Sequence, residues 1–186
     1  MTYTEMKKRV FTLIEEYAPD DANLTADADL LAKYDGVANQ VMYELARIKM
    51  IPKYVEIPVK EGKLLKFADV ENRLGYEIYK MGTIGGVANE EKADGTVFKM
   101  LEDGVAEVNC YVYPERITDA NKEKYEYEMS ADVLEIMPYG IAADMLKADR
   151  SVEYGNIYAK RYEEMKQRID PSYSTASAYI DGGFDV

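Results

Sequence analysis

The chain has 186 residues, 47% of them hydrophobic, and sets 23 Lys and Arg against 35 Asp and Glu for a net charge of −12. That is enough chain for one domain, or one domain with a sizeable insert, and the apolar share together with 17 tyrosines argues against bulk disorder. With no histidine and one cysteine, Cys110, a Ser-His-Asp triad, a Cys-His pair, a Cys/His zinc site and an intramolecular disulfide are all excluded.

Charge excludes more. The isoelectric point is about 4.6 and the acids are spread along the chain with no basic island, the wrong footprint for gripping DNA or RNA. The opening residues mix charge with apolar side chains and do not read as a signal peptide. No stretch approaches the roughly 18 uninterrupted apolar residues of a membrane span, so a soluble protein without membrane contact is expected.

In chain order, Met6, Val10, Leu13, Ile14 and Tyr17 fall three or four apart and predict a helix from about Thr4 to Tyr17. Thr2 or Thr4 is its expected N-cap and Pro19 its stop. The polar turn Asp20-Asp21-Ala22-Asn23 leads to Thr25-Ala26-Asp27-Ala28-Asp29, where a cap and first-turn acids favour a helix start. Leu30, Leu31, Tyr34, Val37, Ala38, Val41, Met42, Leu45 and Ile48 carry the second helix toward Pro52, a rod of about 36 Å over roughly 24 residues. Gly36 within it reads as a close helix contact in preference to a simple propensity penalty.

After Pro52 the period drops to two: Val55, Ile57 and Val59 alternate with Tyr54, Glu56 and Pro58, and Pro58 places that strand at a sheet edge. Further strands are predicted over 76–81, 84–88, 96–101 and 105–113. Asp94-Gly95 and Asp103-Gly104 are hairpin signals, so an antiparallel meander is expected. Beyond Pro114, Ser130 caps a helix to about Asp149 that is apolar nearly all round, hence buried on all sides and kinked near Leu134 to Pro138. Ser151 caps a last helix with Tyr154, Ile157, Tyr158, Arg161, Tyr162, Met165 and Ile169 on one stripe and Pro171 beyond its end. The fold class is α+β: a helical bundle from both chain ends, residues 1–51 and 119–171, around an inserted antiparallel β meander or sandwich, 52–118. Residues 172–186, rich in Ser, Ala, Gly and Tyr, are expected to form an extended, mobile C-terminal arm.

No catalytic, cofactor-binding or metal-ligating residue emerges. Asp20, Asp21, Asp27 and Asp29 lack the Gly and Glu that a calcium loop starting at Asp21 needs, since those positions hold Ala26 and Ala32. Helix capping and solvation account for them. Gly82-Thr83-Ile84-Gly85-Gly86 has no Gly-Lys-Ser/Thr ending and reads as turn or bulge glycines. The carboxylate pairs Glu15/Glu16 and Glu126/Glu128 are what chance provides among 35 acids. Cys110 alternates with Val108 and Val112 and reads as a small core residue. The tyrosines stand out. Tyr154, Tyr158 and Tyr162 share a stripe suited to bundle packing or a subunit interface, while Tyr173, Tyr179, Ile180 and Phe184 are candidates for docking on a partner.

Three stretches point to a family: Thr2-Tyr3-Thr4-Glu5-Met6-Lys7-Lys8-Arg9, Asn39-Gln40-Val41-Met42-Tyr43-Glu44-Leu45-Ala46 and Leu134-Glu135-Ile136-Met137-Pro138-Tyr139-Gly140-Ile141. With Tyr154-Gly155-Asn156-Ile157-Tyr158 and Arg168-Ile169-Asp170-Pro171, they resemble head-to-tail adaptor (connector) proteins of tailed phages and prophages, including the tail-tube gatekeeper type. The resemblance implies a non-enzymatic virion protein, found in the host cytoplasm during assembly. It implies a homo-oligomeric ring, expected as a dodecamer and monomeric when free, that docks under the portal protein, contacts tail proteins and lets DNA pass without specific binding. The C-terminal arm would reach neighbouring subunits or the portal. A different expectation, from the residues alone, is a binding module whose sheet recognises carbohydrate or protein through Tyr76, Tyr79, Tyr111 or Tyr113.

Overall fold

The computed structural model describes residues 1–17, 28–149 and 152–169. Pro19, the acids Asp20, Asp21 and Asp27, the cap Ser151 and the C-terminal arm lie outside the described residues.

Helix α1 (Tyr3–Tyr17) starts where Thr2 and Glu5 close a reciprocal cap. The Glu5 amide donates to Thr2 Oγ1 at 3.2 Å, and the Thr2 amide donates to Glu5 Oε2 at 2.8 Å. The Thr2 amide bond holds the Glu5 carboxyl below its usual range. Helix α2 (Ala28–Ile48) buries Leu30, Tyr34, Ala38, Val41, Met42 and Leu45, the stripe expected of it.

Strand β1 (Ile51–Val59) comes next, then a short β2 (Leu64–Lys66) and helix α3 (Phe67–Leu74), neither of which the sequence patterns announce. Strands β3 (Ile78–Gly85), β4 (Asn89–Ala93), β5 (Val97–Met100) and β6 (Gly104–Val112) complete the insert. Among the described residues they form two antiparallel three-stranded sheets, ordered β1-β6-β3 and β2-β5-β4. Pro58 sits on the edge strand β1, as its missing N–H requires.

The two Asp-Gly pairs part company. Asp94 and Gly95, both at positive φ, turn β4 back on β5 with the Thr96 amide donating to Ala93 O at 2.6 Å. Asp103-Gly104 makes no hairpin, because β6 leaves β5 and pairs with β1 and β3 in the other sheet. Gly82 and Thr83 fall in a register irregularity of β3, and Gly86 takes φ +77 where a Cβ would lie 2.4 Å from the Val105 carbonyl. The glycine cluster is therefore bulge and turn.

Helix α4 (Ala131–Asp149) runs through Pro138 and packs on α1, α2 and α5 (Val152–Lys166). Val133, Met137, Ile141, Ala142, Met145 and Leu146 are all but inaccessible, so the helix is buried around most of its circumference. One hydrophobic core lies within the helices and takes in Ile117, Tyr125 and Tyr127 from the segment before α4. A second lies between the two sheets and α3, with Leu65, Val70, Met100, Val108 and Cys110 at its centre. The α+β class and the two-ended bundle around an inserted sheet region are as the sequence predicts. The last residue of the sheet core is Val112, and the chain rejoins the helical core at Ile117.

Gly36 corrects an expectation. A Cβ there would meet nothing within 4 Å, so it marks no helix contact. Close helix contacts lie instead at Gly155 of α5, where a Cβ would stand 2.9 Å from the Lys147 amide nitrogen of α4, and at Gly140 of α4, where it would stand 2.9 Å from Tyr162 Cε2 and 3.0 Å from Val41 Cγ1. α2, α4 and α5 meet there, and any larger side chain would push them apart.

Candidate functional site

Most of the described tyrosines settle into three places. The first is the joint between bundle and sheets. Tyr113, just past β6, stacks on Tyr43 of α2 at 4.7 Å between ring centres and 17° between planes, and Tyr79 of β3 lies 4.9 Å from it on another side. Arg47 Nε donates to the Tyr113 hydroxyl at 2.6 Å, and the Tyr79 hydroxyl donates to the Ala46 carbonyl at 2.9 Å. Beside the joint, Glu128 accepts from Tyr76 at 3.1 Å and pairs with Lys53 of β1 at 3.4 Å, while Lys49 pairs with Asp132 at 3.5 Å. The tyrosine, arginine and Glu128 contacts cross from the helical side to the sheets, so the insert is clamped to the helices.

This placement alters the reading of the sheet tyrosines. Tyr113 is buried, Tyr79 and Tyr76 are half-buried with bonded hydroxyls, and Tyr111 lies half-buried under Lys80 Nζ at 5.6 Å. The four do not form one open platform. Glu128, one of the carboxylates weighed for acid-base work, is held by Tyr76 and Lys53.

The second place is the bundle core. Tyr158 and Tyr162 of the expected interface stripe point inward at 6% exposure each, and the Tyr158 hydroxyl donates to the Leu13 carbonyl of α1 at 2.6 Å. Tyr154 separates from them and is exposed, together with Val152 and Ile157. The stripe read from spacing thus breaks up. Gly155, Tyr158 and Tyr162 face the core, while Val152, Tyr154 and Ile157 are exposed at separate points around the rest of the helix. Tyr173, Tyr179, Ile180 and Phe184, the candidate docking residues, lie outside the described residues.

The third place is the surface where α1, α4 and α5 meet. Two shallow grooves lie side by side there and share Glu135 as a common wall. One, of about 240 Å³, has Leu13, Pro138 and Tyr139 as its floor and Arg9 and Thr12 on its rim. The other, of about 190 Å³, runs between Ile136, Met165 and Ile169 with Asp132 and Arg168 at its edge. The Arg161 guanidinium stands 5.3 Å from the Tyr139 ring centre. Three arginines therefore gather on one face of a chain whose net charge is −12, against Glu135 and an Asp132 already paired with Lys49. No sequence signal marked this face, because Arg9 lies far along the chain from Arg161 and Arg168.

Among the described residues no group of three His, Cys, Asp or Glu side chains is placed to hold a metal ion. Asp29 is exposed at the start of α2, where a carboxylate complements the helix dipole. Cys110 donates to the Lys53 carbonyl at 3.7 Å, and burial pushes its thiol up to about 11, which makes it a core residue and a poor nucleophile. No helix among the described residues is long and apolar enough to cross a membrane. No protein-family model matches the chain, and no curated protein matches it significantly.

Proposed function

We propose that this protein is a non-enzymatic structural component of a tailed-phage or prophage virion, a head-to-tail adaptor that assembles as a ring between portal and tail. The resemblance of the helical segments is the starting point. The observation that carries the reading is the set of exposed apolar side chains on α5. Val152 is 65% exposed, Ile157 54% and Tyr154 38%, on a helix that Tyr158 and Tyr162 seat in the bundle. Large apolar side chains exposed on a rigidly held helix of an otherwise acidic chain suit a repeated contact between identical subunits.

Two further features support the same reading. The clamped joint at Tyr43, Tyr79 and Tyr113 keeps sheets and bundle as one stiff unit, which suits a ring component whose neighbours must meet at a fixed angle. The net charge of −12 suits a lumen that DNA slides through, since an acidic wall repels phosphates where a basic one would hold them.

Native mass spectrometry and electron microscopy of the purified chain mixed with portal rings test the proposal. A ring of copies on the portal is the expected result, lost in a Val152→Glu, Ile157→Glu variant whose circular dichroism is unchanged. A chain that stays monomeric and never binds portal overturns it.

A further inference from the structure

The paired grooves on either side of Glu135 are apolar at the floor, with Arg9 on the rim of one and Arg168 beside Asp132 at the edge of the other, and Arg168 and Ile169, the last two described residues, line the second groove. The rest of the sequence has the matching chemistry. Residues 170–186 carry three acids, Asp170, Asp181 and Asp185, no Lys or Arg, and the large apolar side chains of Tyr173, Tyr179, Ile180 and Phe184.

We infer that residues 170–186 lie in these grooves of their own chain, with aromatic side chains over the Leu13, Pro138 and Tyr139 floor and the acids opposite Arg9, Arg161 and Arg168. Reach is no obstacle. Seventeen residues at about 3.3 Å each extend roughly 56 Å, while Glu135, reached first from Ile169, and Tyr139, beyond it, are one turn apart on α4. Proximity favours the chain's own segment over one from another copy, because a tether raises the effective concentration into the millimolar range. Charge favours this segment over a neutral one to the extent that Arg161 and Arg168 stand near the grooves against Glu135, while Arg9 also faces Glu5 and Asp132 is paired with Lys49. The rim loses water-exposed arginine charge only to carboxylates that match it.

This inference rests on the grooves and on the make-up of residues 170–186, and not on the adaptor reading. A chain that never meets a portal could still satisfy it.

Paramagnetic relaxation in the full-length protein tests it. A nitroxide on Ala178→Cys leaves the aromatic side chains in place, and buried Cys110 stays unlabelled in the folded protein. Isotope-labelled, spin-labelled chains diluted into a tenfold excess of unlabelled chains report contacts within one molecule. The expected result is severe broadening of the amides of residues 9–13 and 135–139, relieved at least twofold by Arg9→Glu with Arg168→Glu while shifts elsewhere hold. Broadening seen only when spin label and isotope are on different chains assigns the groove to a second copy and overturns the inference. Broadening that avoids both segments overturns it as well.

Discussion

The Tyr113 ring lies nearly parallel to that of Tyr43, 4.7 Å away, and its hydroxyl takes a 2.6 Å hydrogen bond from Arg47, so a residue at the end of the sheet region is held on two sides by α2. Removing this ring opens a cavity where the two cores meet. Tyr113→Ala is expected to cost about 3–5 kcal/mol and to split a single calorimetric transition into two as sheets and bundle uncouple. Tyr113→Phe keeps the stack and loses the hydroxyl bond, a cost of about 1 kcal/mol. Calorimetry and urea unfolding read both; equal losses in the two variants would contradict the assignment.

Gly36 and Gly140 should respond in opposite directions to the same substitution. Gly36→Ala adds a methyl in open space within a helix, so it should stabilise by about 0.5–1 kcal/mol. Gly140→Ala drives a methyl into Tyr162 and Val41 and should destabilise by about 1–3 kcal/mol. Urea midpoints at constant slope measure both.

Asn39 is the one buried polar side chain among the described residues, and it answers Ile117 twice: its Nδ2 donates to the Ile117 carbonyl at 2.9 Å, and its Oδ1 accepts the Ile117 amide at 2.8 Å. The pair pins the segment leading into α4 onto α2. Asn39→Ala leaves two buried backbone groups unbonded, an expected loss of about 2–5 kcal/mol. Hydrogen exchange at the Ile117 amide should accelerate by the same factor that the bond protected it.

Alkaline stability is set by the buried tyrosines. Burial pushes the hydroxyls of Tyr3, Tyr34, Tyr125 and Tyr162 far above the ordinary tyrosine range, and that of Tyr127 up to about 12. A raised acid stays protonated in the folded chain while the unfolded chain ionises near pH 10. Stability from these groups is therefore full below pH 10 and falls as pH climbs through 10 to 12. Each group contributes up to about 1.4 kcal/mol per pH unit. The share of the ionised-tyrosine absorbance at about 295 nm that belongs to these five should rise in one cooperative step that coincides with unfolding. With no histidine, no comparable change is expected between about pH 6 and 8.

Elements with strong local chemistry were legible in the sequence. Thr2 as one of two candidate caps, the stripe of α2, the all-round burial of α4, the edge position of Pro58 and the Asp94-Gly95 turn each rest on short-range rules, and the structure keeps them. Helix α3 escaped because it buries little beyond Val70 and opens on Lys66, whose amide is taken by Asp69 Oδ2 at 2.9 Å, so neither stripe nor usual cap residue is present. Asp103-Gly104 misled because a turn residue pair says where the chain bends and not which sheet the next strand joins. The split of Tyr154 from Tyr158 and Tyr162, and the gathering of Arg9, Arg161 and Arg168, depend on how α1, α4 and α5 cross. Periodicity along one helix does not contain that.

Ile51 and Val112 are direct partners in the first sheet, so the chain leaves the bundle and returns to it at nearly the same point. The partners of α1 and α2 in the core, α4 above all, emerge some 80 residues after α2 is made. At roughly 5–20 residues per second, translation leaves the first two helices without their mates for several seconds. The insert has its own core within one continuous stretch and can close during that interval. The order in which this protein takes shape on the ribosome is therefore middle first and ends last, and the newborn helices are the part that a chaperone would meet.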